Sequence, residues 1–214
     1  MLELGIKTLL AYLLGSVIGS LLVGRLRGGI DIRTMGSGNA GGTNALRTQG
    51  AGFAIQVMVI DVGKGWLAAG VLPPLSVPLI GIDPAIDRLW LAVACASAVV
   101  VGHVYPLWYG FRGGKGAATL IGVVMGLKPV ALIPAVLTWL LVLIVSGFVG
   151  LATMLAVASF CVYVGVTGGD ASGALLAFGI AMLAFVCYTH RSNIERMRAG
   201  TENRAHRLWL FRPR

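Results

Sequence analysis

Long apolar runs dominate the chain, and short stretches rich in glycine, proline and cations separate them. Runs of about 20 apolar residues are typical of helices that cross a membrane. About seven such segments follow one another, which predicts an all-α, polytopic integral membrane helix bundle. The predicted segments are Leu4–Leu26, Phe53–Leu72, Leu89–Leu107, Ala117–Leu127, Val130–Val145, Phe148–Val166 and Gly173–Tyr188.

The fourth segment is short, and only Lys128 and Pro129 separate it from the fifth. It is either a short span or a re-entrant piece, so six spans with one re-entrant segment stay an alternative to seven. The length of 214 residues fits a single domain over residues 1–214. The first run is longer than the apolar part of a signal peptide, so we expect no cleavable signal.

Charge is scarce and unevenly distributed along the chain. Charged residues make up 12% of it, against about 25% in soluble domains, and the net charge is +9. Most cations lie in the connections that contain Arg47 and Lys115 and in the C-terminal tail. The connections that alternate with these along the chain hold only Arg88 and Lys128. The positive-inside rule therefore predicts a cytoplasmic C-terminus and an outside N-terminus, which favours seven spans. We expect the last arginines, Arg207, Arg212 and Arg214, to contact anionic lipid.

The first cation-rich connection contains a run of glycines and neutral polar residues that ends in Arg47. Glycine lets the backbone turn its N–H groups toward one point, and arginine suits phosphate. The pattern therefore favours an anion site over a flexible loop. The match to a dinucleotide fingerprint is formal only, because no strand precedes it. The candidates are Gly36, Ser37, Gly38, Asn39, Gly41, Thr43, Asn44 and Arg47.

The third connection, which with its flanks spans Gly102–Thr119, includes the aromatic residues Trp108, Tyr109 and Phe111, which suit a membrane interface. Gly113, Gly114, Lys115 and Gly116 then lead directly into the next predicted helix. A helix N-terminus offers free N–H groups and a positive dipole end, so we predict anion binding there. The spacing is not that of a nucleotide-binding P-loop. The alternative is that Lys115 only anchors the loop on the positive side.

Two further sets of polar residues are open to a structural or a functional interpretation. Asp61 and Lys64 lie three apart within an apolar run, where an ion pair would offset the cost of burial. Lys64 could instead face the predicted site. In the tail, His190 and Asn193 share a face if that segment is helical, and the residues alone do not decide their role.

Taken together, these motifs resemble the bacterial acyl-phosphate:glycerol-3-phosphate acyltransferases, the PlsY family. The resemblance covers nearly the whole chain and depends on Gly36–Arg47, Asp61–Gly65, Gly102–Thr119 and His190–Glu202. It implies a small inner-membrane enzyme that moves a fatty acyl group from acyl phosphate to the 1-hydroxyl of glycerol-3-phosphate. It also implies lysophosphatidic acid and phosphate as products, and no direct use of acyl-CoA or acyl carrier protein.

The resemblance implies catalytic roles for Ser37, Arg47, Lys115, His190 and Asn193. The implied substrate-binding residues are Gly36, Gly38, Asn39, Gly41, Thr43, Asn44, Lys64, His103, Gly113, Gly114, Gly116 and Glu202. The chain departs from the family at Gly42 and Arg112, and in the stretch Ser146–Thr153, where only Thr153 supplies a matching hydroxyl.

No cluster of residues has metal-ligand spacing, so we expect no metal and no cofactor, and the three cysteines suit packing. The expected partners are the two substrates and membrane lipid, without nucleic acid, and we favour a monomer. The expected location is the bacterial inner membrane with the active site on the cytoplasmic face. The alternatives are a transporter of an anionic solute, for which only Asp61 and Lys64 suit the membrane interior, and a lipid-binding scaffold.

Overall fold

A computed structural model describes residues 1–78, 80–205 and 208–211. The described residues are helical apart from turns and one isolated β-bridge between Val77 and Gly81. They form two compact units, residues 1–128 and residues 129–214. The predicted lipid contacts of Arg207, Arg212 and Arg214 lie outside the described residues. The single-domain organisation stays a prediction.

The first unit contains six α-helices, and a turn of π-helix at Leu67–Val71 extends the fourth of them. The helix α1 contacts α5, and α4 contacts both α2 and α6. The helices are α1 (Leu2–Gly15), α2 (Gly19–Leu26), α3 (Gly42–Gln49), α4 (Ala51–Trp66), α5 (Arg88–Val104) and α6 (Ala117–Leu127).

The described residues of the second unit form four α-helices, and α8 packs between its two neighbours α7 and α9. A segment after α10 folds back onto the α7–α8 turn, where the Ala205 N–H donates to the Gly147 carbonyl at 2.8 Å. The Arg204 guanidinium stacks on the rings of Phe148 and Trp209. The helices are α7 (Leu132–Ser146), α8 (Val149–Thr167), α9 (Ser172–Thr189) and α10 (Arg191–Arg198).

Five of the helical segments are long and apolar enough to cross a membrane, and six qualify if a bent pair counts as one span. The bent pair is α1 and α2, which meet at 50°. The segment predicted as a span over Leu4–Leu26 consists of two helices, because the chain leaves the helical path at Ser16–Ile18. The helix α6 has 11 residues and is too short to count by the same test.

Glycines allow the helices of the first unit to approach each other closely. On α6, Gly122 lies against the Val62 carbonyl, and a Cβ on Gly126 would stand 2.7 Å from the Gly70 nitrogen. On α4, Gly65 lies against the Thr119 carbonyl. Two glycines four residues apart on α6 thus let the backbones approach, as in close-packed membrane helices.

A buried ionic cluster fixes the connection between α4 and α5 to α1. Glu3 and Lys7 are 1% and 0% exposed and form a 2.7 Å ion pair. Arg88 binds both carboxylate oxygens of Glu3, at 2.7 and 2.9 Å. Lys7 also donates to the Pro73 carbonyl at 2.8 Å. Such a cluster is stable inside a protein because each charge is paired and hydrogen-bonded.

We predict that Gly122→Ala destabilises the protein by about 1–3 kcal/mol, because its Cβ would enter the space of the Val62 carbonyl. Gly63→Ala on α4 is the matched control, since a Cβ there meets no atom within 4 Å. Thermal unfolding of both variants in detergent micelles measures the difference. Equal melting temperatures for the two variants would contradict close α4–α6 packing.

Candidate active site

The first and the third connections of the chain, which are both rich in cations, meet at one end of the first unit. The Arg33 guanidinium donates to the carbonyls of Arg112 at 3.0 Å and Tyr109 at 3.3 Å. Tyr109 also packs against Ile18 and its neighbours. Two of the polar segments that the sequence singled out are therefore neighbours in space, and Arg33, which sequence reasoning did not select, joins them.

Asp31 holds the Arg33 side chain in place. The two side chains form an ion pair at 2.7 Å, and the Asp31 carboxylate also accepts a hydrogen bond from the Arg33 backbone N–H at 2.9 Å. The adjacent guanidinium lowers the pKa of Asp31 below its usual range. The pair therefore stays charged at neutral pH. In the sequence, the only sign of this ion pair is that Asp31 and Arg33 lie two residues apart, and many surface residues of opposite charge share that spacing.

Asn44 organises the glycine-rich turn of the first connection. It is 1% exposed, and its amide donates to the carbonyls of Ile32 at 2.9 Å and Met35 at 3.0 Å. Its oxygen accepts the Ser37 N–H at 3.0 Å. Gly36 adopts a φ of +56° beside it, where a Cβ would strike the Asn44 oxygen. Asn44 thus shapes the turn, while Ser37 is exposed.

The second half of this connection is helical rather than a loop, which corrects the sequence-based expectation. Gly41 caps α3 at its N-terminus, and Thr43, Asn44 and Arg47 all lie on that helix. Thr43 and Arg47 are exposed, whereas Asn39 is half-buried. The helix forms here because Gly41 and Gly50 end it on either side, and the intervening residues contain no proline.

The glycines before Lys115 join the end of α5 to the start of α6. The N–H groups of Gly113 and Gly114 donate to the carbonyls of Val104 at 3.0 Å and His103 at 3.1 Å. Side chains would not fit at either glycine, because a Cβ would meet the His103 carbonyl or the His103 ring. Gly116 has a φ of +88° and caps α6, which confirms the predicted helix start. Lys115 is half-buried on this turn.

Asp61 and Lys64 form the buried ion pair that the sequence left as one of two alternatives. Their side chains are 0% and 3% exposed and stand 2.9 Å apart. The Lys64 ammonium also lies 2.9 Å from the His103 Nδ1 atom, and His103 is 2% exposed. Neither Lys64 nor His103 is on the surface of the first unit, so their implied contact with substrate stays a prediction.

In the second unit, His190 and Asn193 lie at the junction of α9 and α10. His190 ends α9 and precedes α10, and the Asn193 N–H donates to its carbonyl at 2.8 Å. The His190 Nδ1 atom lies 2.9 Å from the Val186 carbonyl, so Nδ1 carries a proton and donates it to that carbonyl. Both residues are largely buried.

Glu202 links Asn193 to a cation in the same unit. One carboxylate oxygen accepts from the Asn193 amide at 2.7 Å, and the other accepts from Arg196 at 2.6 Å. Gly150 faces the Asn193 side chain, where a Cβ would stand 3.1 Å from the Asn193 Cβ and Cγ atoms. The Thr153 hydroxyl donates to the Val149 carbonyl at 2.9 Å and accepts from the Trp139 indole N–H at 3.4 Å. Glu202 therefore fixes Asn193, while Thr153 links α8 to α7.

Among the described residues, no group of three or more histidine, cysteine, aspartate or glutamate side chains is arranged to hold a metal ion. The first unit presents backbone N–H groups at the start of α6, directly after Lys115, and it carries Arg47 at an exposed position on α3. Such groups bind phosphate well because they combine a positive dipole end with full cations. The long apolar helices and these turns define the class of protein. It is a helical integral membrane protein with a polar end that is suited to binding anions.

The chain belongs to the glycerol-3-phosphate acyltransferase family, whose model matches residues 6–200. It is similar to the glycerol-3-phosphate acyltransferase of Chlorobaculum tepidum, with 36% identity over 91% of this chain and 93% of that protein. The corresponding protein of Pelodictyon phaeoclathratiforme is 37% identical over the same shares of the two chains.

Two crystal structures of PlsY (YgiH), an integral membrane glycerol 3-phosphate acyltransferase, have the same fold. The glycerol 3-phosphate form superimposes with a TM-score of 0.80 at 34% identity, over 94% of both chains. The lysophosphatidic acid form gives a TM-score of 0.79 at 33% identity, again over 94% of both chains. The resemblance that the sequence motifs indicated is therefore confirmed.

We predict that Asn44→Ala loosens the glycine-rich turn, because three hydrogen bonds of a buried amide are lost at once. Trypsin should then cleave after Arg33 at least 10-fold faster, as measured by mass spectrometry of the fragments. The matched control is Asn39→Ala, since the Asn39 amide makes no hydrogen bond to the described residues. Similar cleavage rates in the two variants would contradict the organising role of Asn44.

Proposed function

We propose that this membrane acyltransferase takes its acyl group from acyl phosphate and transfers it to the 1-hydroxyl of glycerol-3-phosphate. The products are lysophosphatidic acid and inorganic phosphate. Membership of the glycerol-3-phosphate acyltransferase family supports the acceptor. The observation that carries the proposal is the meeting of two phosphate-suited connections at one end of the first unit, through Arg33.

The chemistry requires little from the protein beyond position and charge. The oxygen of the 1-hydroxyl forms a bond to the acyl carbon, and the bond from that carbon to the phosphate oxygen breaks. Acyl phosphate is already activated, so no covalent enzyme intermediate is needed. Two anionic substrates repel each other, and cations and N–H donors offset that repulsion while they hold the reacting atoms together.

The proton of the 1-hydroxyl has two possible acceptors, the leaving phosphate and the Nε2 atom of His190. We favour the leaving phosphate, because it is generated next to the attacking oxygen and becomes more basic as the bond to carbon breaks. His190, whose Nδ1 atom lies 2.9 Å from the Val186 carbonyl, is the alternative base.

We assign the residues to the two substrates by their chemistry. Ser37 and the turn around it bind the acyl-phosphate head, with Gly36, Gly38, Asn39 and Gly41 supplying backbone and amide groups. Arg47, Lys115, His190 and Asn193 bind glycerol-3-phosphate. Asn44 and Glu202 support this assignment as residues that fix Ser37 and Asn193.

We propose that the protein lies in the bacterial inner membrane as a monomer with seven spans. The N-terminus is outside, and the C-terminus and the active site are cytoplasmic. The distribution of cations between alternate connections supports this orientation. A transporter of an anionic solute is not supported, because family membership points to acyl transfer.

We predict that Lys115→Ala and Arg47→Ala each lower acyl transfer by at least 100-fold, because each removes a cation from a site for two anions. The measurement is lysophosphatidic acid formed by purified protein from a long-chain acyl phosphate and labelled glycerol-3-phosphate. The matched controls are Lys128→Ala, at the opposite end of α6, and Arg25→Ala, on an exposed position of the first unit. Near-normal activity in both site variants would refute the assignment.

The same assay tests the donor. The wild-type protein should form product from acyl phosphate and none from acyl-CoA under identical conditions. Product from acyl-CoA at a similar rate would refute the proposed donor, while the membership of the family would stand.

The orientation predicts which residues an impermeant maleimide reaches in intact spheroplasts. In a cysteine-free background, Asp170→Cys between α8 and α9 should react at once. Arg25→Cys and Arg198→Cys should react only after the membrane is permeabilised. Reaction of Arg25→Cys and Asp170→Cys from the same side would overturn the topology.

A further inference from the structure

We propose that Lys64, Asp61 and His103 form a buried positioning network that sets the glycine turn carrying Lys115. In this proposal, which rests on the proposed function, Lys64 and His103 do not touch substrate. They act through Gly113 and Gly114, whose backbone determines where Lys115 stands. The network lies wholly within the first unit.

The Lys64 ammonium provides hydrogen bonds to the backbone carbonyls at the break between α1 and α2. It donates to the Gly15 carbonyl at 3.0 Å and to the Val17 carbonyl at 2.6 Å. Both carbonyls lie where the chain leaves the helical path, so they lack the usual helical partners. The Lys64 side chain is only 3% exposed, and its ammonium already binds these protein carbonyls. Both facts argue against a direct role in binding an anionic substrate.

Asp61 fixes the start of the next helix. Its Oδ1 atom pairs with Lys64 at 2.9 Å and accepts the Gly19 N–H at 3.1 Å. Its Oδ2 atom has no hydrogen-bond partner among the described residues. One carboxylate oxygen therefore joins the ammonium to the first residue of α2, and the pair holds both sides of the break.

His103 connects this pair to the glycine turn. Its Nδ1 atom faces the Lys64 ammonium at 2.9 Å, and a charged ammonium donates hydrogen bonds but cannot accept them. The geometry therefore assigns the ring proton to Nε2, with the Nδ1 lone pair toward Lys64. The other edge of the ring lies against Gly114, where a Cβ would meet Nε2, Cε1 and Cδ2.

Gly114 also uses the backbone of the same histidine, because its N–H donates to the His103 carbonyl at 3.1 Å. Ring and carbonyl together hold Gly114 from two sides, and Lys115 is the next residue. A change in the position of the His103 ring is therefore transmitted to Lys115 through one residue without a side chain. This is the basis for assigning a positioning role to the network.

Hydrogen exchange without substrate tests the first step of the proposal. In detergent-solubilised protein, Lys64→Met should speed exchange at the amides of Gly113 and Gly114 at least 10-fold. The matched variant Lys128→Met, at the other end of α6, should leave it unchanged. A peptide from α8 in the second unit serves as an internal reference that should not change.

Unchanged exchange at the turn in Lys64→Met, together with a raised KM for glycerol-3-phosphate, would overturn the proposal in favour of direct substrate binding. Faster exchange in the α8 reference as well would mean general unfolding, and the decision then falls to the kinetic cycle that follows. Because no substrate is present, exchange at the turn does not depend on whether the proposed function is correct.

A double-mutant cycle between Gly114 and His103 tests the second step. Gly114→Ala places a methyl group against the ring and should lower kcat/KM for glycerol-3-phosphate at least 20-fold. His103→Asn keeps an acceptor toward Lys64 and removes Nε2 and Cε1, so it should cost less than 10-fold. The double variant should recover to within about 3-fold of His103→Asn alone, because the two ring atoms nearest to the methyl group are gone.

Independent, multiplying losses in the double variant would overturn the positioning role. So would a Gly114→Ala variant with normal kcat/KM. Wild-type protein that forms no product from acyl phosphate would instead count against the proposed function, and the exchange result would still decide the network. The melting temperature of each purified variant establishes that it is folded before its kinetics are compared.

Discussion

The arrangement of the first unit depends on one buried ammonium. A helix that breaks inside a membrane leaves carbonyls without partners, and each costs several kcal/mol in hydrocarbon unless the protein satisfies it. Lys64 satisfies two of them, and Asp61 balances its charge while it binds the N–H that starts α2. The pair therefore satisfies backbone groups on both sides of the 50° bend between α1 and α2.

Close approach of backbones is the second constraint, and glycine supplies it. Inside a membrane the hydrophobic effect does not drive helices together, so contact between backbones provides much of the attraction. Gly15 on α1 lies against the Val99 carbonyl, and Gly102 on α5 lies against the Tyr12 carbonyl. The same two helices therefore hold the break at Ser16–Ile18 beside His103. Helix packing and the buried ion pair support each other at one place in the unit.

Much of this structure could be predicted from the sequence, because its strongest signals are local. Apolar runs located nearly all the helices, and the glycines before Ala117 located the start of α6. The break in the first span was missed because Ser16–Ile18 is as apolar as its surroundings and depends on Lys64, nearly fifty residues away. The helix α3 was missed because glycine-rich polar segments usually indicate loops. The role of Arg33 depends on carbonyls in another connection, which no local pattern reveals.

The turn at Gly113–Gly116 shows why structure and proposed chemistry are difficult to separate in this protein. Its first two N–H groups occupy the carbonyls that α5 leaves unpaired at its end, and its last residue caps α6. The turn therefore has two structural roles that do not depend on substrate. Because backbone bonds fill both, the two helices fix the backbone on which Lys115 stands. A backbone fixed in this way limits where the Lys115 cation can lie, and charge contributes most to catalysis when it is preorganised.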